Sequence, residues 1–497
     1  MMAEITLHSI SFYLPEITIV ATLCVIIVAD LLIKNKPHTT GLILLGGLVL
    51  AGIFTILQAG QSESVFYNFV AVDPFAVFFK ILIILTGIFI VFFSMQSREL
   101  REYGPRIGEY YMLLSGMILG MMMMVGSTNL LMMFLALEVT SISSYVLVGF
   151  TKRSIRSTES SMKYIIYGAV SSGVMLYGLS LLIGVTASTD IYAINEALNA
   201  GVEQTLILNI SVLMIIVGFG FKIAIVPFHF WAPDVYEGAP ITIAALLAVA
   251  SKIAAFGLII RFFTITFIDS SGLSITGVWL AIEGIHWDVL LGGLAAMAMV
   301  VGNLTALKQD NIKRMLAYSS IAHAGYILMG LVILTSEGLT SIMIYLFIYL
   351  FMNLGAFYVA MLFMNKAGTE SIEEYKGLGH RAPLAGVAMT IFLVSLTGLP
   401  PTGGFVAKLY IFGAAISAGW IWLVAIAGVT TVISLFYYIR VVRNMFFFKP
   451  DENAGAITFD LPAKIILFAL LIPTLFLGVY FQPVLELARN SLQMIGF

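Results

Sequence analysis

Residues 218 to 240 read GFGFKIAIVPFHFWAPDVYEGAP. An apolar run leads into this stretch, yet Gly218, Gly220 and Pro227 interrupt it, and Lys222 sits among aliphatic and aromatic neighbours. Proline removes a backbone donor and breaks the helical ladder. Irregular backbone at membrane depth is tolerated only against protein or a water-filled cavity. Transporters use such discontinuous helices to build ion sites near the bilayer midplane. The stretch therefore predicts a broken transmembrane helix with a functional lysine beside the break.

The rest of the chain agrees that its solvent is lipid. Of 497 residues, 60% are hydrophobic and 10% charged, with a net charge of −2, and the mean hydropathy is +1.03. A soluble domain keeps roughly 25% charged residues. The net charge itself says nothing about partners, whereas the placement of the charges does; no nucleic-acid partner is expected. The one cysteine, Cys24, excludes a disulfide framework and a cysteine metal site. Of six histidines only His323 lies near the middle of an apolar segment, so no redox centre is expected on this chain. Glu4 precedes the first apolar run and Lys34 and Lys36 follow it, the reverse of a cleavable signal, so that helix is expected to be retained.

Runs of about 20 apolar residues are needed to span the bilayer. They occur near 14–33, 40–59, 72–95, 110–126, 128–150, 160–185, 206–235, 240–266, 287–307, 314–334, 339–364, 384–414, 418–447 and 461–483, which gives about fourteen transmembrane helices in an all-α polytopic membrane protein. Alternate loops hold 18 of the 25 Lys and Arg residues, while the intervening loops carry acids such as Glu63, Asp190, Glu203 and Glu337. By the positive-inside rule the basic loops are cytoplasmic and both termini periplasmic. Only Arg489 breaks the alternation.

Six basic residues remain inside the segments: Lys80, Lys163, Lys222, Lys252, Arg261 and Lys408. A charge at the centre of a helix costs about 2.5–3.5 kcal/mol even on the lenient insertion scale. Lys222, Lys252 and Lys408, with Glu138 in helix five, lie at mid-depth and are the candidates for proton transfer. A structural ion pair or snorkelling is the plainer reading of each. Burial disfavours the charged form of either residue type, so such groups exchange protons near neutral pH, which is what a relay requires. Lys80 and Arg261 are read as snorkelling side chains. Lys163 stands between interface anchor and relay, and His323 between a hydrogen-bonded core histidine and a relay. The run GMMMMVG (Gly120–Gly126) reads as lipid-facing or as packing filler.

A second break, in SLTGLPPTGGFVAKLYIF, lies five helices after the first. Lys222 precedes one break and Lys408 follows the other. Helices 4–8 and 9–13 are thus expected to form two inverted five-helix repeats with broken helices 7 and 12. The implied divisions are a three-helix segment over 1–107, repeats over 108–266 and 267–447, and a final helix within 448–497.

Four ordered segments, GFKIAIVPFHFWAPDVYEGAP, ASKIAAFG (Ala250–Gly257), NIKRMLAYSSIAHAGY (Asn311–Tyr326) and GLPPTGGFVAKLYIF (Gly398–Phe412), resemble the antiporter-like N subunits of respiratory complex I, the proton-pumping NADH:quinone oxidoreductase, whose mitochondrial counterpart is subunit 2. The resemblance runs from about residue 70 to 450. It implies a proton-translocating membrane-arm subunit of a bacterial cytoplasmic (inner) membrane. It implies Glu138 as partner of Lys222, Lys252 as central lysine and Lys408 as the helix-twelve lysine, where M-type paralogues carry glutamate. It implies supporting roles for Lys163, His229 and His323, and leaves Lys80 without a counterpart. The chain ends soon after helix fourteen, unlike L-type subunits with their long lateral helix. The implied partners are other membrane-arm subunits, M-type and small, and the lipid bilayer. FMN, iron–sulfur clusters and quinone are implied in partner subunits and no cofactor on this chain. The competing family is that of multi-subunit cation/proton antiporters, which share broken helices and buried charges.

Overall fold

The computed structural model describes residues 2–33, 38–201, 204–269, 278–450 and 455–495. Lys34, Lys36 and Glu203 lie outside the described residues. The helices that matter here are α1 Leu14–Leu32, α2 Thr39–Leu57, α3 Pro74–Gln96, α4 Ile107–Gly126, α5 Leu130–Val148, α6 Ile155–Thr186, α7 Thr205–Ile223, α8 Trp231–Gly238 and α9 Ile241–Ala248. They continue with α10 Ala250–Thr266, α11 Trp287–Ala306, α12 Ile312–Val332, α13 Ser336–Ala367, α14 Pro383–Thr397, α15 Gly403–Ser417, α16 Ile421–Phe447 and α17 Leu461–Val479.

Among the described residues thirteen helices are long and apolar enough to cross a membrane, and the shorter α14 and α15 together fill the expected twelfth segment. The outermost helices expose aliphatic side chains, as a lipid solvent demands, with Leu31, Leu57 and Val170 among them. The packed centre is α9 to α10, α12 and α13, where at least 94% of each apolar window is buried. That centre holds Lys252 and His323.

Both expected breaks are present. α7 ends at Ala224, which adopts left-handed φ of 57°, and α8 does not begin until Trp231. α14 ends at Gly398 with φ of 88°, and α15 starts at Gly403. Gly404 permits the second break to close, because a Cβ there would lie 1.7 Å from the Ser395 carbonyl oxygen. Two features go beyond the sequence reading. Helix eight is kinked at Val249 into α9 and α10 without any proline or glycine at the joint. A small antiparallel hairpin, β1 Glu63–Val65 and β2 Val70–Val72, caps the loop between α2 and α3 with Glu63 opposite Val72.

Candidate functional site

Lys222, Lys252 and Lys408 are all buried, between 1% and 4% exposed. Lys222 occupies the last turn of α7, and its Nζ donates to Ser141 Oγ on α5 at 2.8 Å. The carbonyl of Phe221, freed by the break, accepts from Trp231 Nε1 at 2.9 Å. Glu138 stands one turn before Ser141, half-buried, and its Oε1 is enclosed without a hydrogen-bond partner. Among the described residues no ion pair joins Glu138 to Lys222, whose ammonium is held by Ser141 instead.

Lys252 follows the kink of helix eight by three residues, and its Nζ donates to the Ser320 carbonyl oxygen on α12. The Ser320 hydroxyl accepts from Tyr349 on α13 at 3.1 Å. His323, one turn further along α12, is enclosed by tyrosines. Its Nδ1 bonds the Tyr345 hydroxyl at 2.7 Å, Tyr438 approaches Nε2 at 3.5 Å, and the Tyr349 ring centroid is 5.2 Å away. Lys408, in the second turn of α15, donates to the Thr397 carbonyl at 2.8 Å and to Thr431 Oγ1 at 3.2 Å. That carbonyl is the last of α14, so the break supplies the lysine with an acceptor. Thr431 reaches the Tyr326 hydroxyl at 3.4 Å, Asn303 bonds the same hydroxyl at 3.1 Å, and Tyr437 donates to Asn303 Oδ1 at 3.0 Å. The Tyr437 and Tyr438 rings lie 4.3 Å apart, tilted at 54°, which returns the path to His323. The structure thus gathers Lys252, His323 and Lys408 on one polar seam lined by hydroxyls from α12, α13 and α16.

The supporting residues are placed less uniformly. His229 is buried in the linker between α7 and α8, against the Phe230 ring. Lys163 is 41% exposed and pairs with Asp234 at 2.7 Å and Glu159 at 2.9 Å. Asp234 and Glu237 also bind Arg314 at 2.6 and 2.9 Å. Lys163 is therefore part of a network at the basic end that holds the α8 segment in place.

Two expectations need correction. Lys80 and Arg261 do not snorkel: both are fully buried, because carboxylates distant in sequence meet them. Lys80 Nζ lies 2.6 Å from Glu16 of α1, so Glu138 is not the sole enclosed glutamate. Arg261 grips Asp73, the N-cap of α3, through two bonds of 2.7 and 2.8 Å, donates to the Val125 carbonyl at 3.1 Å and lies 5.1 Å from the Phe75 ring centroid. Ile495 N also donates to Asp73 at 3.2 Å.

Paired helix breaks around a seam of buried lysines define the antiporter-like class of membrane subunits. A family model described as NADH:quinone oxidoreductase/Mrp antiporter, TM, matches residues 127–434. The chain is 44% identical to NADH-quinone oxidoreductase subunit N 2 of Chloroherpeton thalassium over 98% of its own length and 95% of that protein's. It is 43% identical to NADH-quinone oxidoreductase subunit N of Chlorobium chlorochromatii, with 98% and 96% covered. The chain belongs to the NADH-quinone oxidoreductase subunit N family. Respiratory complex I of Thermus thermophilus contains a chain that superposes with a TM-score of 0.79 at 29% identity, covering 96% of this chain and 99% of that one. A chain of the Mrp complex from Dietzia sp. shares the fold, with a TM-score of 0.82 at 20% identity and 97% of each chain covered.

Proposed function

We propose that this chain is a proton-translocating membrane-arm subunit of NADH:quinone oxidoreductase, housed in a bacterial cytoplasmic membrane with both termini on the periplasmic side. Electrons pass from NADH through FMN and iron–sulfur clusters to quinone in partner subunits. This chain moves protons. Helices α4–α10 and α11–α16 act as two inverted repeats, each contributing one break and one lysine beside it.

Protons enter from the cytoplasm toward Lys222 and Glu138, pass to Lys252 and leave by Lys408. His323 links the last two, while His229 and Lys163 hold the first break. The observation that carries this reading is the seam from Lys252 through Ser320, Tyr349 and His323 to Tyr326, Thr431 and Lys408. Polar side chains on such a path orient water and let lysines hand a proton on without bare charge meeting hydrocarbon. Moving Glu138 toward or away from Lys222 changes the lysine's proton affinity, and a swing of about two pKa units is about 2.7 kcal/mol. One proton moved outward works against about 2.3 kcal/mol per 100 mV, so the swing is large enough.

The relatives named as subunit N, at 43–44% identity, favour this reading over a stand-alone cation/proton antiporter. Lys222→Ala and Lys408→Ala in the assembled complex should each depress NADH-driven proton pumping. Coupled pumping that survives both substitutions refutes the relay.

A further inference from the structure

Glu99 lies in the short helix Arg98–Arg101 between α3 and α4, at the basic end of the molecule. Its Oε2 faces the Ile241 N–H at the start of α9, at 3.4 Å. Lys313 and Glu370 stand beside it, paired with each other at 2.8 Å. Lys313 also donates to the Ala239 carbonyl at 3.2 Å, and Asn311 donates to Glu370 at 2.9 Å. The start of α9, α12 and the segment carrying Glu370 therefore converge on one half-buried carboxyl. Burial pushes Glu99 above the usual carboxylate range, against the pull of Lys313 and the Ile241 N–H, while Glu370 and Glu102 push it the same way as burial.

The direction of the site is set by α12 and α9. Lys313 and Ser320 are seven residues apart on α12, hence on one face and about 10 Å apart along the axis. Ser320 is the acceptor of Lys252. On the Ser320 side two polar atoms are enclosed, the Tyr236 hydroxyl and, one turn along α13 from Tyr349, Asn353 Oδ1. Tyr236 sits three residues before Ala239, and its hydroxyl is enclosed beside Ser320. Asn353 holds the Tyr349 hydroxyl at 3.0 Å with its other atom. Buried polar atoms of this kind are met by ordered water. Near the mouth, Thr242, Tyr110 and Ser94 form a hydroxyl row at 2.9 and 2.8 Å.

We propose that Glu99, set between Lys313 and Glu370, is a cytoplasmic loading residue that delivers protons to Lys252 past Tyr236 and Asn353, apart from the Lys222–Glu138 branch. Hydronium protonates the Glu99 carboxylate and leaves as water. The carboxyl then passes that proton through bridging water to neutral Lys252, giving the ammonium and restoring the carboxylate. The proposal rests on the relay reading above.

The test uses the intact complex in proteoliposomes, with NADH-driven proton pumping measured against pH for Glu99→Gln, Glu99→Asp, Tyr236→Phe and Lys252→Ala. Glu99→Gln should slow pumping about ten-fold at pH 8 and less at pH 6, where hydronium is more abundant, and Glu99→Asp should restore most of the rate. Tyr236→Phe should shift the profile the same way. Wild-type rate and pH profile in Glu99→Gln, with pumping lost in Lys252→Ala, overturn the loading role alone. Normal pumping in Lys252→Ala overturns the relay and this role with it. Should Glu99→Gln fail to assemble, an unchanged profile in Tyr236→Phe is the overturning result.

Discussion

The Lys408 ammonium lies 4.6 Å from the centroid of the Tyr326 ring, while the hydroxyl of that ring donates to Thr430 Oγ1 at 3.0 Å. One tyrosine thus supports the charged lysine with its face and extends the polar seam with its edge. The two roles separate by substitution. Tyr326→Phe keeps the face and should assemble normally, yet lower proton pumping. Tyr326→Leu loses the face as well and should destabilise the charged lysine by a further 1–2 kcal/mol, about the strength of a desolvated cation–π contact. Pumping rates and thermal unfolding of the purified complex check the pair.

Lys80 and Glu16 form an enclosed ion pair away from the seam. Lys80→Met leaves the carboxylate uncompensated and should destabilise by about 3–5 kcal/mol. The double variant Lys80→Met with Glu16→Leu should recover most of that loss and pump at the wild-type rate. Denaturation in detergent micelles, read beside pumping, distinguishes a structural pair from a second proton path.

Asp73 gives a pH dependence with a definite sign. Burial raises its carboxyl, but Arg261 and the N–H groups of Ala76 and Ile495 win and hold it below the usual carboxylate range. A depressed folded pKa adds stability above the unfolded value of about 3.9, and that stability is lost as pH falls through the folded value. The wild type should therefore lose stability on acidification below about pH 4. Asp73→Asn should be weaker at neutral pH and flatter across this window. Unfolding midpoints between pH 3 and 7 test it.

Gly404→Ala places a Cβ against the Ser395 carbonyl and forces the α14–α15 break apart. Overpacking typically costs about 1–3 kcal/mol, and here the clash is with backbone. The variant should assemble poorly and lose pumping along with Lys408 geometry, as native gels and pumping assays would show.

Much of this architecture was legible in the chain because its signals are local. Pro227 and Pro400 announce the breaks, since a residue without an N–H cannot continue the ladder, and alternating Lys and Arg loops count the crossings. The enclosed lysines were visible because charge in an apolar run is expensive. What stayed hidden depends on partners far apart in sequence. Glu16 looks like an ordinary polar residue near a helix end until α1 packs against Lys80, and Asp73 reads as a simple N-cap until Arg261 arrives from 188 residues away. The tyrosine cage of His323 is drawn from α12, α13 and α16, so no single stretch displays it. The kink at Val249 has no breaker to mark it. The Glu138–Lys222 contact expected from the resemblance is replaced by Ser141, a hydroxyl that one helical turn brings to the lysine.

The sharpest test of Lys252 as a proton carrier is the number of protons moved per NADH oxidised, measured in proteoliposomes containing the complex with Lys252→Met. The substitution keeps the length of the side chain and removes the group that takes up a proton. A relay through Lys252 should then show a lower ratio of protons to NADH, with electron transfer from NADH to an artificial acceptor intact. An unchanged ratio at the wild-type quinone reduction rate would contradict it.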